Sequence, residues 1–498
     1  MKNPVICTNS EVCERLLPRP PSASPQARDD DRGWGSSLKT CALCVSVLFN
    51  LAFWYSSAPQ QVALAPPAPA AAESSWLSAA VQAAETAAMR SCSGHGDVFI
   101  DTVLVGSDGA QICECHECFT GPDCAVPIPD CAADADSGDP QLFEDYWRRH
   151  PEMGTVVTPG WYRMGYQIRD GQSMNFLNNA LEAAIQELHA LTGNAVTEGR
   201  YIVLGTGSMQ LINAAVHSLA LQQPNVSNVV ALAPYYGAYE LQTKIFSTAN
   251  YRWAGEPERS SSTSLNGGPV IELIASPNNP TATIQEVPSN TSGVVVYDHA
   301  YYWPHLTAIT KAVDNDIMLF TLSKITGHAG TRIGWAIVKD LDLSVKMMNY
   351  VFLNTLGVSH DSQLRATQLL HSVVKSYTRP TMSPEKGIFH YGHEVLLARW
   401  ARLEAIFSKS SRFSVQHIET QHCSFFGKKS APSPGYAWVY CERDEDVDCS
   451  EVMLRANITG RAGMFFGSSN RYVRLTLLRR QTNFENLAAH LSVLVSQG

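Results

Sequence analysis

The sequence predicts a large α/β domain with a smaller α+β lobe, preceded by a small disulfide-rich module. Three observations carry this reading. Short buried-strand runs, Ile202–Leu204 and then VVALA (229–233), VIELI (270–274), VVVYD (294–298), IMLFTL (317–322) and IGWAIV (333–338), are separated by loops and helical stretches, the pattern of a mostly parallel or mixed sheet. Six of the 13 cysteines fall between Cys92 and Cys131. The 498 residues are 45% hydrophobic and include 10 Trp, 17 Phe and 18 Tyr, enough for a large core, which excludes a chain disordered throughout.

Charge removes one class of partner. With 37 basic against 46 acidic residues, a net charge of −9 and no basic stripe, nucleic acid is not expected to bind.

Residues 1–40, rich in Pro, Ser, Arg and Asp without an apolar period, read as a disordered tail. The run 41–58 (CALCVSVLFNLAFWYSSA) carries no charge and sits at the short limit for a bilayer span. A signal-peptide core and a buried helix are the alternatives. The Pro/Ala-rich linker 59–88 leaves it nothing to pack against, and the basic residues Arg32 and Lys39 precede it. We therefore expect a retained signal anchor with a cytoplasmic tail and everything later in the endoplasmic reticulum lumen or secretory pathway. Sequons at Asn225, Asn290 and Asn457 agree with that compartment, each weakly.

The module 89–133 holds Cys92, Cys113, Cys115, Cys118, Cys124 and Cys131 in a segment too short to bury a core, a problem that extracellular modules solve with disulfides. A zinc site using His116 is the rival, but CxCxxC supplies one arm where structural zinc uses two; no metal is expected. Spacing alone leaves fifteen connectivities open. Cys441 and Cys449 flank an acidic turn and could close a small loop.

In the domain 134–498, Leu181, Ile185 and Leu188 form one helical stripe, and Met209, Ile212, Val216 and Leu219 another. Beyond Asp361, longer amphipathic helices lead to the strand runs YAWVYC (436–441) and YVRLTLL (472–478).

The chemistry sits on the turns after the strands. Gly205-Thr206-Gly207-Ser208 opens a helix, whose N–H groups suit a phosphate. Asp298 ends a strand, as a metal ligand, a base, the partner of a protonated ring nitrogen, or simply a cap. Lys324 emerges from apolar surroundings that favour its neutral, nucleophilic form. Arg332, past two glycines, could turn back to hold a phosphate. His299 and His328 read as structural.

In chain order these elements, with Tyr235-Tyr236 and Asn279-Pro280 between them, follow the order found in fold-type I pyridoxal-phosphate enzymes. From Ser91 onward the sequence resembles one branch, the plant alliinase and tryptophan aminotransferase-related family. The resemblance rests on SCSGHG, CECHECFTGPDC, GWYRMGY, GTGSMQLINAAVHSL, SPNNP, DHAYYWPH and SKITGHAGTRIGW. It implies an EGF-like module followed by a fold-type I transferase domain, active with pyridoxal 5'-phosphate on amino acid and 2-oxo acid substrates, and a homodimer. Lys324 would carry the cofactor as an aldimine and later shuttle the proton. Asp298 would keep the pyridine nitrogen protonated. Tyr301 and Asn279 would hold the ring's 3-oxygen, and Tyr235, or else Tyr236, would stack on the ring. Gly207, Ser208, Met209, Thr321 and Arg332 would anchor the phosphate. Arg474 would fork onto the substrate carboxylate, with Gly160 at the substrate mouth. The implied disulfides are Cys92–Cys113, Cys115–Cys124, Cys118–Cys131 and Cys441–Cys449. Met209 departs from the family's usual Thr, and Pro280-Thr281-Ala282 from its usual Pro-Asp-Gly turn; neither removes a group that the chemistry needs.

Two reactions share such a site. Transamination of tryptophan would give indole-3-pyruvate, an auxin precursor. β-Elimination from S-alkyl cysteine sulfoxides would make the chain a carbon–sulfur lyase. The anchor and the single EGF-like module fit the tryptophan aminotransferase-related branch better. A vestigial binding protein is disfavoured because Lys324, Asp298, Arg332 and Arg474 are all present.

Overall fold

The computed structural model describes residues 70–88, 92–98, 112–162, 164–165, 176–256, 268–286, 293–379 and 383–497. The expected tail, the anchor at 41–58 and the linker up to residue 69 lie outside the described residues. Among the described residues no helix is long and apolar enough to cross a membrane. The rest of the expected linker is a helix, Ala70–Ala88. Its sequence, AAAESSWLSAAVQAAETAA, is dominated by the best helix former and contains no Pro or Gly. The chain divides between Ala80 and Val81, and all that follows concerns the unit that contains Val81–Gly498.

The cysteine-rich module is two short antiparallel ribbons. Gly96–Val98 pairs with Cys113–Cys115, and Phe119–Thr120 with Val126–Pro127. Three disulfides join Cys92 to Cys113, Cys115 to Cys124 and Cys118 to Cys131. The His95 ring stacks on Phe119 at 3.7 Å, and the buried Cys92 and Cys124 lie in two of the crosslinks, which take the place of a larger core.

The large domain is a seven-stranded sheet. Its strands are β1 (Tyr201–Gly205), β2 (Ser227–Val230), β3 (Tyr251–Gly255), β4 (Val270–Ala275), β5 (Val294–Asp298), β6 (Ile317–Thr321) and β7 (Gly334–Val338). Their order is β1-β7-β6-β5-β4-β2-β3. Only β7 runs against its neighbours. The sequence reading did not foresee β3, an edge strand whose pattern is mostly half-buried; such a strand lacks the continuous apolar run of its neighbours.

Both faces of the sheet are buried, and side chains alternate between two cores. Ile202, Leu204, Met318, Phe320, Trp335 and Ile337 face one. Val203, Ile317, Leu319, Ala336 and Val338 face the other. Helix α1 (Asn179–Thr192) brings Leu181, Ile185 and Leu188 to the first core. Helix α2 (Gly207–Ala220) brings Leu211, Ile212 and Val216 to the second, against Met347 of helix α3 (Leu341–Thr355). The result is helices on both faces of a mainly parallel sheet.

The smaller lobe follows helices α4 (His360–Thr378) and α5 (Ile388–Phe407). It is an antiparallel sheet of β8 (Phe413–Val415), β9 (Tyr436–Cys441), β10 (Arg461–Ala462) and β11 (Tyr472–Thr476), in the order β8-β9-β11-β10. Cys441 and Cys449 are bonded. Helix α6 (Gln481–Ser496) ends the chain. Among the described residues Cys423 is the free cysteine, and it is buried.

Trp335 is fully buried in the first core, and its indole N–H donates to His189 Nε2 at 2.9 Å. Burial pushes the His189 imidazole down to about 4, so it is neutral and able to accept that bond. Trp335→Ala therefore removes packing and leaves a buried acceptor unpaired. We expect a loss of about 3–5 kcal/mol, read as a lower urea midpoint; an unchanged midpoint would mean that the core is not organised around this pair.

Candidate active site

The parallel strands end on one edge of the sheet, and the functional side chains follow those ends, where open α/β sheets bind ligands. β7 enters at the same edge because it runs the other way. Gly334 therefore sits across from both Thr321 of β6 and Gly205 of β1. A Cβ at Gly334 would come within 2.6 Å of the Ser208 amide, so this packing requires glycine. Helix α2 begins beside it at Gly207, which has φ +73° and lies against the Arg332 guanidinium. No side chain caps α2, so its first N–H groups are left for an anion.

A cavity of about 340 Å³ opens there. Its lining includes Ser208, Met209, Asn279, Asp298, Tyr301, Thr321, Lys324, Arg332 and Arg474. With Gly207 against Arg332, ten sequence-predicted residues thus converge.

Asp298 terminates β5 and is buried. Its carboxylate accepts from the Tyr239 hydroxyl at 3.0 Å and the Ala300 amide at 3.1 Å. Burial raises its pKa to about 6, against the lowering effect of these donors and of Lys324. Lys324 stands on a short helix, Leu322–Thr326, capped by the Thr321 hydroxyl. Its ammonium donates to the Gly138 carbonyl at 2.6 Å and lies 5.8 Å from the centre of the Tyr301 ring. Arg332 adopts a left-handed backbone (φ +56°), and its Nη1 donates to Ala329 O at 3.0 Å.

Arg474 comes from the smaller lobe, on β11. It is buried, donates to Asn279 Oδ1 at 3.0 Å and Asp136 O at 2.7 Å, and its Nε has no partner. Both acceptors are neutral. A buried guanidinium bonded only to neutral oxygens is a site for a carboxylate.

Two expected residues stand elsewhere. The Tyr235 hydroxyl donates to Glu240 at 2.6 Å, and its ring packs near Trp253; it does not line the cavity. Tyr236 does, so of the two tyrosines it is the one placed to meet a ring bound there. The reason is the turn into helix Ala238–Ile245, which sends consecutive tyrosines in different directions. Gly160 sits in an exposed turn and has no atom within 4 Å of a would-be Cβ, so it does not line the cavity either. His299 and His328 are held by local bonds to Ser276 O and Thr326 Oγ1; burial, the largest influence on each, lowers both pKa values.

The sequence reading passed over several groups that line the cavity or, like Tyr239, bond a lining residue from behind. Tyr239, which holds Asp298, lies three residues after Tyr236 and could have been read from the APYYGAYE run. Ser323, between Thr321 and Lys324, donates its amide to Thr321 Oγ1 at 3.3 Å. Tyr436, Arg461 and the segment Asp136–Asp139 carry no local signal. Arg461 forks onto Asp136, a pair separated by most of the chain.

The residues fit pyridoxal phosphate. Asp298 is a buried carboxylate with no cation bonded to it, which suits a protonated ring nitrogen. The α2 terminus, Arg332, Thr321 and Ser323 offer donors suited to an anion, and Lys324 lines the same cavity. The family description "Allinase" matches residues 133–495, and "Alliinase EGF-like domain" matches residues 75–131. The chain belongs to the alliinase family. It is 43% identical to tryptophan aminotransferase-related protein 3 of Arabidopsis thaliana over 85% of this chain and 91% of that protein. Protein 4 of that series is 40% identical over 92% and 96%. Alliin lyase of Allium cepa is 40% identical over 85% and 88%. Among solved structures, the Escherichia coli methionine aminotransferase YbdL aligns with a TM-score of 0.51 at 14% identity, over 73% of this chain and 94% of that one. Cystalysin of Treponema denticola, which contains pyridoxal 5'-phosphate, aligns at 0.52 and 13%, over 74% and 92%. This alliinase-family chain therefore has the fold-type I architecture, and its cofactor is pyridoxal phosphate.

Asp298 makes the apoprotein pH-sensitive in a defined direction. Its folded pKa, about 6, lies above the unfolded value near 3.9. The folded state thus binds the extra proton, and stability is lost as pH rises through that window, by on the order of 2–3 kcal/mol. A cationic ring nitrogen cancels the effect. We expect apoprotein denaturation between pH 4 and 6 to show this slope, and the cofactor-loaded protein and Asp298→Asn to lack it. Identical slopes in all three would show that Asp298 is not the group.

Proposed function

We propose that this chain is an aminotransferase of the tryptophan type, converting L-tryptophan and a 2-oxo acid to indole-3-pyruvate, an auxin precursor, and the corresponding amino acid. The observation that carries this reading is the alignment with tryptophan aminotransferase-related protein 4 across nearly the whole of both chains, on a site that combines a lysine, an acceptor for a ring cation and a carboxylate clamp. We further propose that it works as a homodimer in the endoplasmic reticulum lumen or secretory pathway, anchored through 41–58; the disulfides of the module support an oxidising compartment.

Pyridoxal phosphate, when bound, supplies an electron-poor ring that accepts the electron pair left when the substrate loses its α-proton. The residues of the chain do the rest. Arg474 binds the substrate carboxylate bidentately and fixes which α-bond is presented. Asn279, which accepts from Arg474, keeps the guanidinium plane aligned. Lys324 is the base that takes the α-proton. The Gly138 carbonyl, which now accepts from the Lys324 ammonium at 2.6 Å, holds that amine over the cavity between proton transfers. Asp298, kept buried by Tyr239 and Ala300, preserves its negative charge for the ring nitrogen. Tyr436 and Arg461 are the smaller lobe's further contributions to the same lining.

The second reading, carbon–sulfur lyase activity on S-alkyl cysteine sulfoxides, is favoured by the 40% identity to alliin lyase. Both readings use the same clamp and base; they differ in whether a leaving group departs from the β-carbon.

A paired product assay separates them. We expect indole-3-pyruvate from tryptophan plus pyruvate, and no pyruvate or ammonia from S-allyl cysteine sulfoxide; product in the second tube alone overturns the proposal. Lys324→Ala should abolish turnover in either assay and remove the visible absorbance of the lysine-bound cofactor. Arg474→Ala should raise KM by about 30-fold or more, as expected for losing a charge-assisted, bidentate contact. An unchanged KM would place the carboxylate elsewhere.

A further inference from the structure

We propose that Tyr436 is a positioning residue that reports occupancy of the Arg474 clamp to Tyr301, through a guanidinium stacked on its ring and a hydroxyl bonded to the Tyr301 hydroxyl. The inference rests on the roles given above to Arg474 and Tyr301, the latter being to donate to the cofactor's 3-oxygen.

Three distances define the relay. The Arg474 guanidinium lies 4.2 Å from the centre of the Tyr436 ring. The Tyr436 and Tyr301 hydroxyls are 2.8 Å apart. Asn279 Nδ2 donates to the Tyr301 hydroxyl oxygen at 3.4 Å, while its Oδ1 accepts from Arg474. Tyr436 is buried, and its register partner on β11, Thr476, lies two residues from Arg474, which pairs with Trp438. The small-lobe strand that carries the clamp therefore also fixes the Tyr436 ring.

The direction of the hydroxyl bond follows from the charges around it. The charged groups that act on the pair are Lys324, Arg474 and Arg461, and Tyr236, itself influenced by Asp298, is the further titratable neighbour. Burial raises the Tyr301 phenol well above its ordinary value. Burial pushes Tyr436 up as well, but the Lys324, Arg474 and Arg461 cations and the bond with Tyr301 outweigh it and leave Tyr436 below the ordinary value. Tyr436 is thus the better acid and donates to Tyr301. With Tyr436 and Asn279 both donating to its oxygen, Tyr301 keeps its own proton free to donate outward. A carboxylate on Arg474 neutralises the cation stacked on Tyr436, weakens that donation, and so weakens what Tyr301 gives to the ring oxygen.

The readout is the pH midpoint of the visible absorbance of the cofactor-loaded enzyme, measured with and without 3-phenylpropionate, a carboxylate that has no amino group and cannot react. This keeps the test independent of which reaction the enzyme performs. In the wild type the carboxylate should raise the midpoint. Tyr436→Phe, which keeps the ring, should raise the midpoint without ligand by about half a pH unit to one unit, the size expected for one hydrogen bond. It should also shrink the further rise on adding 3-phenylpropionate, leaving the part carried by Asn279 and by direct charge. A ligand-induced rise in Tyr436→Phe equal to that of the wild type overturns the relay. If Tyr436→Phe does not fold, the wild type still decides, because a carboxylate that leaves its midpoint unmoved also overturns it. Tyr301→Phe and Arg474→Lys separate this failure from failure of the roles beneath it. If Tyr301→Phe leaves the midpoint in place, or Arg474→Lys leaves the affinity for 3-phenylpropionate unchanged, those assignments fall and the relay with them.

Discussion

The site depends on burying charged groups without giving them permanent partners. Asp298 is bonded only to a hydroxyl and an amide, and Arg474 only to an amide oxygen and a backbone carbonyl. Removing a charge from water without a counter-charge costs several kcal/mol per ion, so the surrounding fold must supply that cost. Two fully packed cores, one on each face of the central sheet, do so. On the proposed reading, the ligand would complete each pair: a ring cation at Asp298, a carboxylate at Arg474. The same absence of partners that weakens the free protein is what makes the binding selective.

Geometry of the sheet explains why these groups can be so close and yet unpaired. Asp298 and Lys324 follow neighbouring parallel strands and diverge along the same edge. The reversed strand β7 delivers Arg332 to that edge from the other direction, and Gly334 lets the α2 terminus approach it. Arg474 arrives on a separate sheet. Asp298, Lys324, Arg332 and Arg474 come from separate elements, so these groups share one cavity without being placed side by side by any one of them.

Much of this was legible in the sequence, for a physical reason. Asp298 and Lys324 follow apolar strand runs and Arg332 precedes one, and a charge at such a boundary stands out against its local background. The strands themselves were legible because burial on both faces makes them continuously apolar. Tyr235 shows where the signal ends. Two adjacent tyrosines are equivalent in sequence, and only the turn into the next helix decides that Tyr236 enters the cavity while Tyr235 bonds Glu240. Asp136 and Gly138 show a second limit: DADSGD reads as loop, and its backbone carbonyls become functional only because Arg474 and Lys324 are brought to them from far along the chain. The helix at 70–88 was hidden by the prolines just before it.

The cysteine-rich module belongs to the same argument. The chain leaves it at Cys131, pairs at Ala133–Asp134 with Ile458–Thr459, and then runs directly into the cavity wall at Asp136–Asp139. Arg479, nearly buried, bonds Glu117 of the module and lies 3.3 Å from Asp134. Arg480 reaches Glu144 at 2.6 Å, and Glu117 and Asp97 at 3.4 Å each. Two arginines of the catalytic domain therefore grip the module on one side and the segment leading to Gly138 on the other. Single exposed ion pairs contribute little, but a network sharing a buried guanidinium is another matter, since each carboxylate removed leaves that charge less compensated. The carbonyl that holds Lys324 is thus anchored at both ends, by the sheet that carries Arg474 and by a module stapled with three disulfides. A domain too small to fold on its own core becomes, in this arrangement, part of the frame that fixes the Lys324 amine.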